Sequence, residues 1–203
     1  LHAARRGLAE RAANMSGRQL IVVDVHTTGP SFEVHDAFEL AAIDTSTGRV
    51  WELAFALTSS QLGRANPTFL QMSGYDRRRL ADKAQDDAPR IEAELAALGD
   101  ALAGNTLGGA DPETHAAFLS KVFHRQGIRS LWHHLPADIA ALTAGAQGLP
   151  ATNIPRLEMC CELWDVELAE LPSALERARA VAECFAAFDL SNGRASAEAA
   201  AQR

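Results

Sequence analysis

The stretch QLIVVDV, residues 19–25, is the feature of this sequence that most limits how the chain can fold. It is a short run of mostly β-branched apolar residues with Asp24 near its end, and a Thr-Thr-Gly turn follows shortly after. A continuous apolar run bounded by a turn is typical of a strand buried on both faces. The sequence therefore predicts a buried first strand with a carboxylate at its carboxyl end, the sheet edge where α/β domains carry their chemistry.

The segments after this strand alternate between strand and helix patterns. Residues 37–44 and 50–57 flank a Ser/Thr/Gly turn and predict a hairpin that completes a three-stranded meander. Apolar spacing and capping signals predict helices at 67–72, 87–102, 112–125, 136–146, 153–164 and 172–190, and short strands at 106–110 and 130–133. This order predicts an α/β fold with a mixed sheet, a three-stranded antiparallel meander plus parallel strands, flanked by helices.

The chain length of 203 residues fits one domain of ordinary size. We expect residues 1–17, which are basic and Ala-rich, to be an N-terminal extension that is helical or not native to the domain. Residues 18–190 are expected to form the domain, and residues 191–203 a flexible tail. No run of 18 apolar residues occurs, so we expect no membrane span.

Charge and cysteine content narrow the classes of function. The formal net charge of −7 counts against a protein that coats nucleic acid electrostatically. It does not count against an enzyme that holds a single strand end through metal ions. Cys160, Cys161 and Cys184 have neither CxxC nor zinc-site spacing, so we interpret them as reduced core cysteines of a cytoplasmic protein.

The residues Asp24-Val-His-Thr-Thr-Gly29 resemble the first motif of the DEDD 3′–5′ exonucleases, the DnaQ-like members of the ribonuclease H-like superfamily. In that family the motif usually reads Asp-x-Glu-Thr-Thr-Gly. The similarity continues in order through Phe38-Glu39-Leu40 and the ranges 66–72, 107–119, 132–138 and 178–183. The range 66–72 is similar to actinobacterial and actinophage members. The resemblance covers residues 18–188 and implies the ribonuclease H-like fold.

The departures from the family pattern concern the residues that hold metal. The resemblance implies four carboxylates that bind two divalent ions, and a histidine that activates the attacking water. Here Asp24 is kept, whereas His26, His115 and Glu183 stand at the positions of the other three carboxylates. Ala178 stands at the position of the general-base histidine. Taken singly, each altered residue is also compatible with an ordinary solvated or surface-paired side chain.

These substitutions predict altered chemistry. Two-metal hydrolysis needs hard oxygen ligands, and Mg²⁺ disfavours imidazole. Loss of the general base typically costs ~10²–10⁴-fold in rate, so we expect the usual Mg²⁺-dependent activity to be impaired. Because all three altered positions carry ligand-type residues, we predict one rebuilt catalytic metal site of Asp24, His26, His115 and Glu183. That ligand set suits Mn²⁺, Zn²⁺ or another transition metal better than Mg²⁺.

Two functions follow from the resemblance and its departures. The first is a metal-dependent 3′–5′ exonuclease or phosphodiesterase that acts on or binds single-stranded nucleic-acid 3′ ends or nucleotides, with Thr27 and Thr28 contacting the terminal nucleotide. The second is a catalytically inactive pseudo-exonuclease that serves as a binding or interaction module. It is favoured by Ala178 and by the range 107–119, which resembles the second motif of the family but has Asp111 and Thr114 in place of its usual Asn and Phe. Many relatives of this type form dimers, so the resemblance is compatible with a homodimer.

Overall fold

The computed structural model of this protein describes residues 17–84 and 87–201, with side chains up to residue 193. The predicted N-terminal extension, apart from Gly17, lies outside the described residues. Five strands form one sheet in the order β3-β2-β1-β4-β5. They are β1 (Leu20–Thr27), β2 (Ala37–Asp44), β3 (Val50–Ala54), β4 (Thr106–Gly109) and β5 (Ala137–Asp138).

The predicted mixed sheet is confirmed. Strands β1, β2 and β3 form the antiparallel meander, while β4 pairs parallel to β1 and β5 pairs parallel to β4. Two strand predictions were wrong. The third strand ends at Ala54 and not at residue 57. Residues 130–133 form no strand, because their backbone hydrogen bonds go to residues 104 and 105, before β4 begins.

The helices cover both faces of the sheet. They are α1 (Ser59–Gly63), α2 (Pro67–Met72), α3 (Leu80–Lys83), α4 (Ala88–Leu102), α5 (Pro112–Arg125), α6 (Ile139–Ala146), α7 (Leu157–Trp164) and α8 (Ala174–Ala201). The predictions for α2, α4 and α5 are confirmed within one residue, whereas α6, α7 and α8 begin later than predicted. Helix α8 continues past Leu190, where we predicted its end. None of the described helices is long and apolar enough to cross a bilayer.

The position of β1 in the middle of the sheet explains its unbroken apolar sequence. Side chains alternate between the two faces of a strand. Ile21 and Val23 pack into a core with α4 and α5, whereas Val22 packs into a second core with α6, α7 and α8. All three side chains are fully buried, so a polar residue at any of these positions would be buried as well.

The sheet topology brings several elements to the carboxyl end of β1. Because β4 is parallel to β1, helix α5, which follows β4, begins at the same edge of the sheet. Strand β2 runs the other way, and its residue Glu39 pairs with His26 near the end of β1. The amino end of α8 reaches the same place, since the Ala174 N–H donates to Oε2 of Glu39 at 3.2 Å.

Candidate active site

A cleft of about 490 Å³ opens at this edge of the sheet. The end of β1, the first turns of α5, α7 and α8, and helix α2 form its walls. Its polar lining residues include Asp24, His26, His115 and Arg177. Its apolar lining residues include Phe69, Met72, Leu157, Leu171 and Pro172.

Asp24 lies at the base of the cleft and is only 1% exposed. Its Oδ2 atom accepts a hydrogen bond of 3.1 Å from Nε of Arg177. Its Oδ1 atom is buried and has no hydrogen-bond partner. A buried carboxylate oxygen without a partner is costly, so a donor or cation that reached this atom would stabilise it.

His26 and His115 turn the same ring nitrogen towards Asp24. The Nε2 atom of His26 lies 3.8 Å from Oδ1 of Asp24, and Nε2 of His115 lies 3.8 Å from Oδ2. The Nδ1 atom of His115 lies 3.0 Å from the carbonyl oxygen of Val23. The Nδ1 atom of His26 lies 2.9 Å from Oε2 of Glu39, an ion-pair distance at which the ring N–H is not aligned for a hydrogen bond. Both rings thus turn Nε2 towards Asp24 in the cleft, and the ring of His115 is held at Nδ1 by the carbonyl oxygen of Val23.

Glu39 lies next to His26, with its Oε2 atom against the imidazole ring. Burial by itself would raise the pKa of this carboxyl group, but His26 and Arg78 beside it lower the pKa to about 2. Both carboxylate oxygens accept bonds from Arg78, with Nη1 at 2.8 Å from Oε2 and Nη2 bonded to Oε1. Such bidentate pairs have a fixed geometry, so Glu39 is held as an ionised group.

Arg177 is the cation nearest to Asp24, and its role was not predicted from the sequence. Its side chain is 24% exposed and also reaches Oε1 of Glu158 at 3.5 Å. Burial would lower the pKa of its guanidinium group, but the carboxylates of Asp24 and Glu158 raise it. Arg177 is therefore a permanent positive charge in the cleft. The sequence pointed to Arg177 only through its position, one residue before Ala178, which stands where the family has its general-base histidine.

The structure brings together some of the predicted site residues and not others. Asp24, His26, His115 and Thr27 all line the cleft. Glu183 is exposed on α8 and is not among the cleft residues. Thr28 is buried beyond the cleft, and its hydroxyl oxygen accepts a 3.0 Å bond from the Asp36 N–H.

The cleft residues, as placed, do not fit a pair of magnesium ions. Among the side chains described, those of residues 17–84 and 87–193, no group of three or more His, Cys, Asp and Glu is arranged to hold a metal ion. Two hard cations need several shared oxygen ligands. Here Oδ2 of Asp24 is bonded to Arg177, and both carboxylate oxygens of Glu39 are bonded to Arg78.

The sheet order and the helices on both faces are those of a ribonuclease H-like fold, which the structures of exonuclease I share. The solved structures that resemble this chain include several of Escherichia coli exonuclease I. A zinc-ion-bound form of its complex with single-stranded DNA aligns with a TM-score of 0.67 at 15% identity, over 86% of this chain and 41% of that chain. A complex with a dT13 oligonucleotide aligns with a TM-score of 0.63 at 15% identity, over 84% of this chain and 40% of that chain. A complex with a dA16 oligonucleotide aligns with a TM-score of 0.64 at 15% identity, again over 84% of this chain and 40% of that chain.

These comparisons establish the fold. No protein-family model matches the sequence, and no curated protein matches it. The chain spans about two-fifths of the length of the exonuclease I chains that it resembles. What the cleft of this chain does must therefore be argued from its own residues.

Proposed function

We propose that this chain is a nucleic-acid-binding module with an exonuclease fold, which holds the 3′ end of a single strand in its cleft without two-metal hydrolysis. The observation that carries the proposal is the Arg177 guanidinium on Oδ2 of Asp24. It places a fixed positive charge at the carboxylate that would otherwise attract a metal ion. The complexes of exonuclease I with single-stranded oligonucleotides support nucleic acid as the ligand of a cleft in this fold.

The cleft lining offers contacts for both parts of a nucleotide. Arg156 and Arg177 line the cleft and can donate charged hydrogen bonds to a phosphate or a terminal hydroxyl. Phe69 and Met72 also line it, and a base can pack against their aromatic ring and thioether. Thr27 lines the cleft at the end of β1 and offers a backbone contact to the terminal nucleotide.

The second candidate function is a metal-dependent exonuclease that uses Mn²⁺, Zn²⁺ or another transition ion. The unpartnered Oδ1 of Asp24 favours it, because an ion there would satisfy a buried charge. Histidines that bind metal usually have their other ring nitrogen held by a carboxylate or a carbonyl group, as Nδ1 of His115 is here by the carbonyl oxygen of Val23. Asp24, His26 and His115 would have to move closer together to hold such an ion, since they form no metal-binding group as placed. Once bound, the ion would supply an activated water for hydrolysis.

One experiment separates the two candidates. Binding and cleavage of a fluorescent dT12 oligonucleotide are measured in EDTA and then with Mg²⁺, Mn²⁺ or Zn²⁺. A binding module binds dT12 in EDTA and cleaves it with none of these ions. Cleavage with Mn²⁺ or Zn²⁺ that disappears in a His26→Ala, His115→Ala variant would establish the metal-dependent enzyme instead.

The role of Arg177 is tested in the same assay. We expect Arg177→Gln to weaken dT12 binding in EDTA about tenfold or more, because a charged hydrogen bond contributes about 1.5–3 kcal/mol. Arg179→Gln is the matched control, since Arg179 is an exposed arginine on the same helix. Equal affinity of the Arg177 variant and the control would contradict the proposal.

A further inference from the structure

A second charged surface lies beside the cleft, where the loop of residues 28–36 contacts α1 and α5. Asp36, at the end of this loop, is only 2% exposed. Three cations surround its carboxylate. Oδ1 lies 3.1 Å from Nζ of Lys121 and 2.6 Å from Nη2 of Arg125, and Oδ2 lies 3.6 Å from Nη2 of Arg64. We call Arg64, Lys121 and Arg125 the basic cluster.

The basic cluster carries more charge than the buried carboxylate needs. One cation would compensate Asp36, yet three lie within 4 Å of it. Even with the exposed Glu33 of the same loop included, the cations exceed the carboxylates. The side chains of Arg64 and Arg125 are 49% and 50% exposed, so their remaining N–H groups are open to an anion. This local excess stands out in a chain whose net charge is −7.

The basic cluster is continuous with the cleft. Strand β1 ends in the cleft and leads directly into the loop, where Thr28 bonds to Asp36. Helix α5 carries His115 in the cleft and then Lys121 and Arg125 in the cluster. At 1.5 Å per residue, these cations lie about 9 and 15 Å along the helix from His115. Phosphates recur about every 3.4 Å along a stacked strand, so the cluster is within reach of the first several nucleotides.

The loop also presents an aromatic ring. The side chain of Phe32 is half-exposed. The loop is held in place by Lys121, whose Nζ donates to the carbonyl oxygens of Phe32 at 2.9 Å and His35 at 2.6 Å. Sites for single strands combine cations that follow the backbone with aromatic rings on which bases stack. The ring on this fixed loop and the basic cluster beside the loop provide both elements.

We infer that a single-stranded nucleic acid whose end occupies the cleft continues across the basic cluster, with its phosphates on Arg64 and Arg125 and a base against Phe32. This inference rests on the proposed function, because it needs one end of the strand in the cleft. It adds a second contact that only strands of several nucleotides can make. The affinity should therefore depend on strand length and on these three side chains.

The test compares two labelled probes, dT2 and dT12, by fluorescence anisotropy in EDTA at 50 and 200 mM NaCl. The main variant is Arg64→Gln with Arg125→Gln. It leaves Lys121 as a counter-ion to Asp36 and keeps the loop bonds to the Lys121 ammonium group. The control is Arg49→Gln with Arg179→Gln. Arg49 is 53% exposed and precedes β3, at the opposite end of the sheet from the cleft. Phe32→Ala tests the ring separately.

We expect the main variant and Phe32→Ala to weaken dT12 binding while dT2 binding is unchanged. For single strands, each phosphate contact adds about 0.7 to the slope of log affinity against log salt concentration. Losing two contacts should therefore reduce this slope by about 1.4. The ratio of the dT12 affinity of the unaltered chain to that of the main variant should then be about sevenfold larger at 50 mM than at 200 mM NaCl.

Three results would overturn the inference. Unchanged dT12 affinity and salt slope in the main variant would show that the strand does not cross the basic cluster. An equal loss for dT2 and dT12 would show that the substitutions act through the cleft or the fold. If the unaltered chain bound neither probe, the proposed function would fail and the inference with it.

Discussion

The ion pair between Glu39 and Arg78 makes the stability of this chain depend on pH in a predictable way. Glu39 is buried beneath the cleft, where Arg78 binds both of its oxygens and His26 lies against one of them. The perturbation that tests this arrangement is Glu39→Gln. It keeps the volume and one acceptor oxygen of the side chain but removes its charge.

The size of the effect follows from the pKa. The pKa of Glu39 is lowered from 4.5 to about 2. At about 1.4 kcal/mol for each tenfold change in an equilibrium, this difference corresponds to about 3 kcal/mol. Because the folded-state pKa lies below the unfolded-state value, the contribution is complete above about pH 4.5 and is lost as the pH falls through about 2. By pH 3 about 2 kcal/mol has been lost.

Urea unfolding at pH 7 and pH 3 measures this contribution. We expect Glu39→Gln to lower the free energy of unfolding by about 3 kcal/mol at pH 7, and this cost to shrink by about 2 kcal/mol at pH 3. Glu92→Gln, an exposed carboxylate on α4, is the matched control, and its small cost should change little with pH. A Glu39→Gln cost that is the same at both pH values would falsify the assignment of a charged Glu39–Arg78 pair.

Two further predictions concern packing around the sheet. Gly108→Ala should lower stability by about 1 kcal/mol, because the added methyl would lie 2.7 Å from Cδ1 of Leu20, which can turn aside, and 3.2 Å from the ring of the buried Phe185, which must shift. Gly63→Ala meets no atom within 4 Å and should not lower stability, so similar melting temperatures for the two variants would contradict this. Thr143→Val should cost about 1–3 kcal/mol in thermal unfolding, because the fully buried Thr143 hydroxyl accepts a 2.8 Å bond from the Trp164 indole N–H. Thr143→Ser keeps that acceptor, so a Ser variant as unstable as the Val variant would refute the explanation.

Much of the fold could be predicted because its signals are local. Asn66 caps α2 through a 3.0 Å bond to the Thr68 N–H, and Asp87 caps α4 through a 3.1 Å bond to the Arg90 N–H. Both caps precede a proline in the first turn, which is why these helix starts could be read from the sequence. Asp111 precedes Pro112 in the same way, but its side chain makes no capping bond and instead lines the cleft.

The cleft could be predicted only in part. Motif position was enough to select Asp24, His26 and His115, which all line the cleft. The partners of Asp24 and Glu39 were missed because they depend on how α8 and the segment before α3 pack. On α8, consecutive residues point about 100° apart, so Arg177 faces the cleft while Ala178 is fully buried.

The bonds that close the cleft also set when it can form during folding. Arg177 and Asp24 are 153 positions apart in the chain, and Ala174 and Glu39 are 135 apart. The meander of β1 to β3, in contrast, pairs residues that are neighbours in sequence. Contacts between distant residues carry a larger loop-closure cost and tend to form late. A nascent chain should therefore complete its meander well before it has a cleft, and ligand binding should report only on molecules that have docked α8.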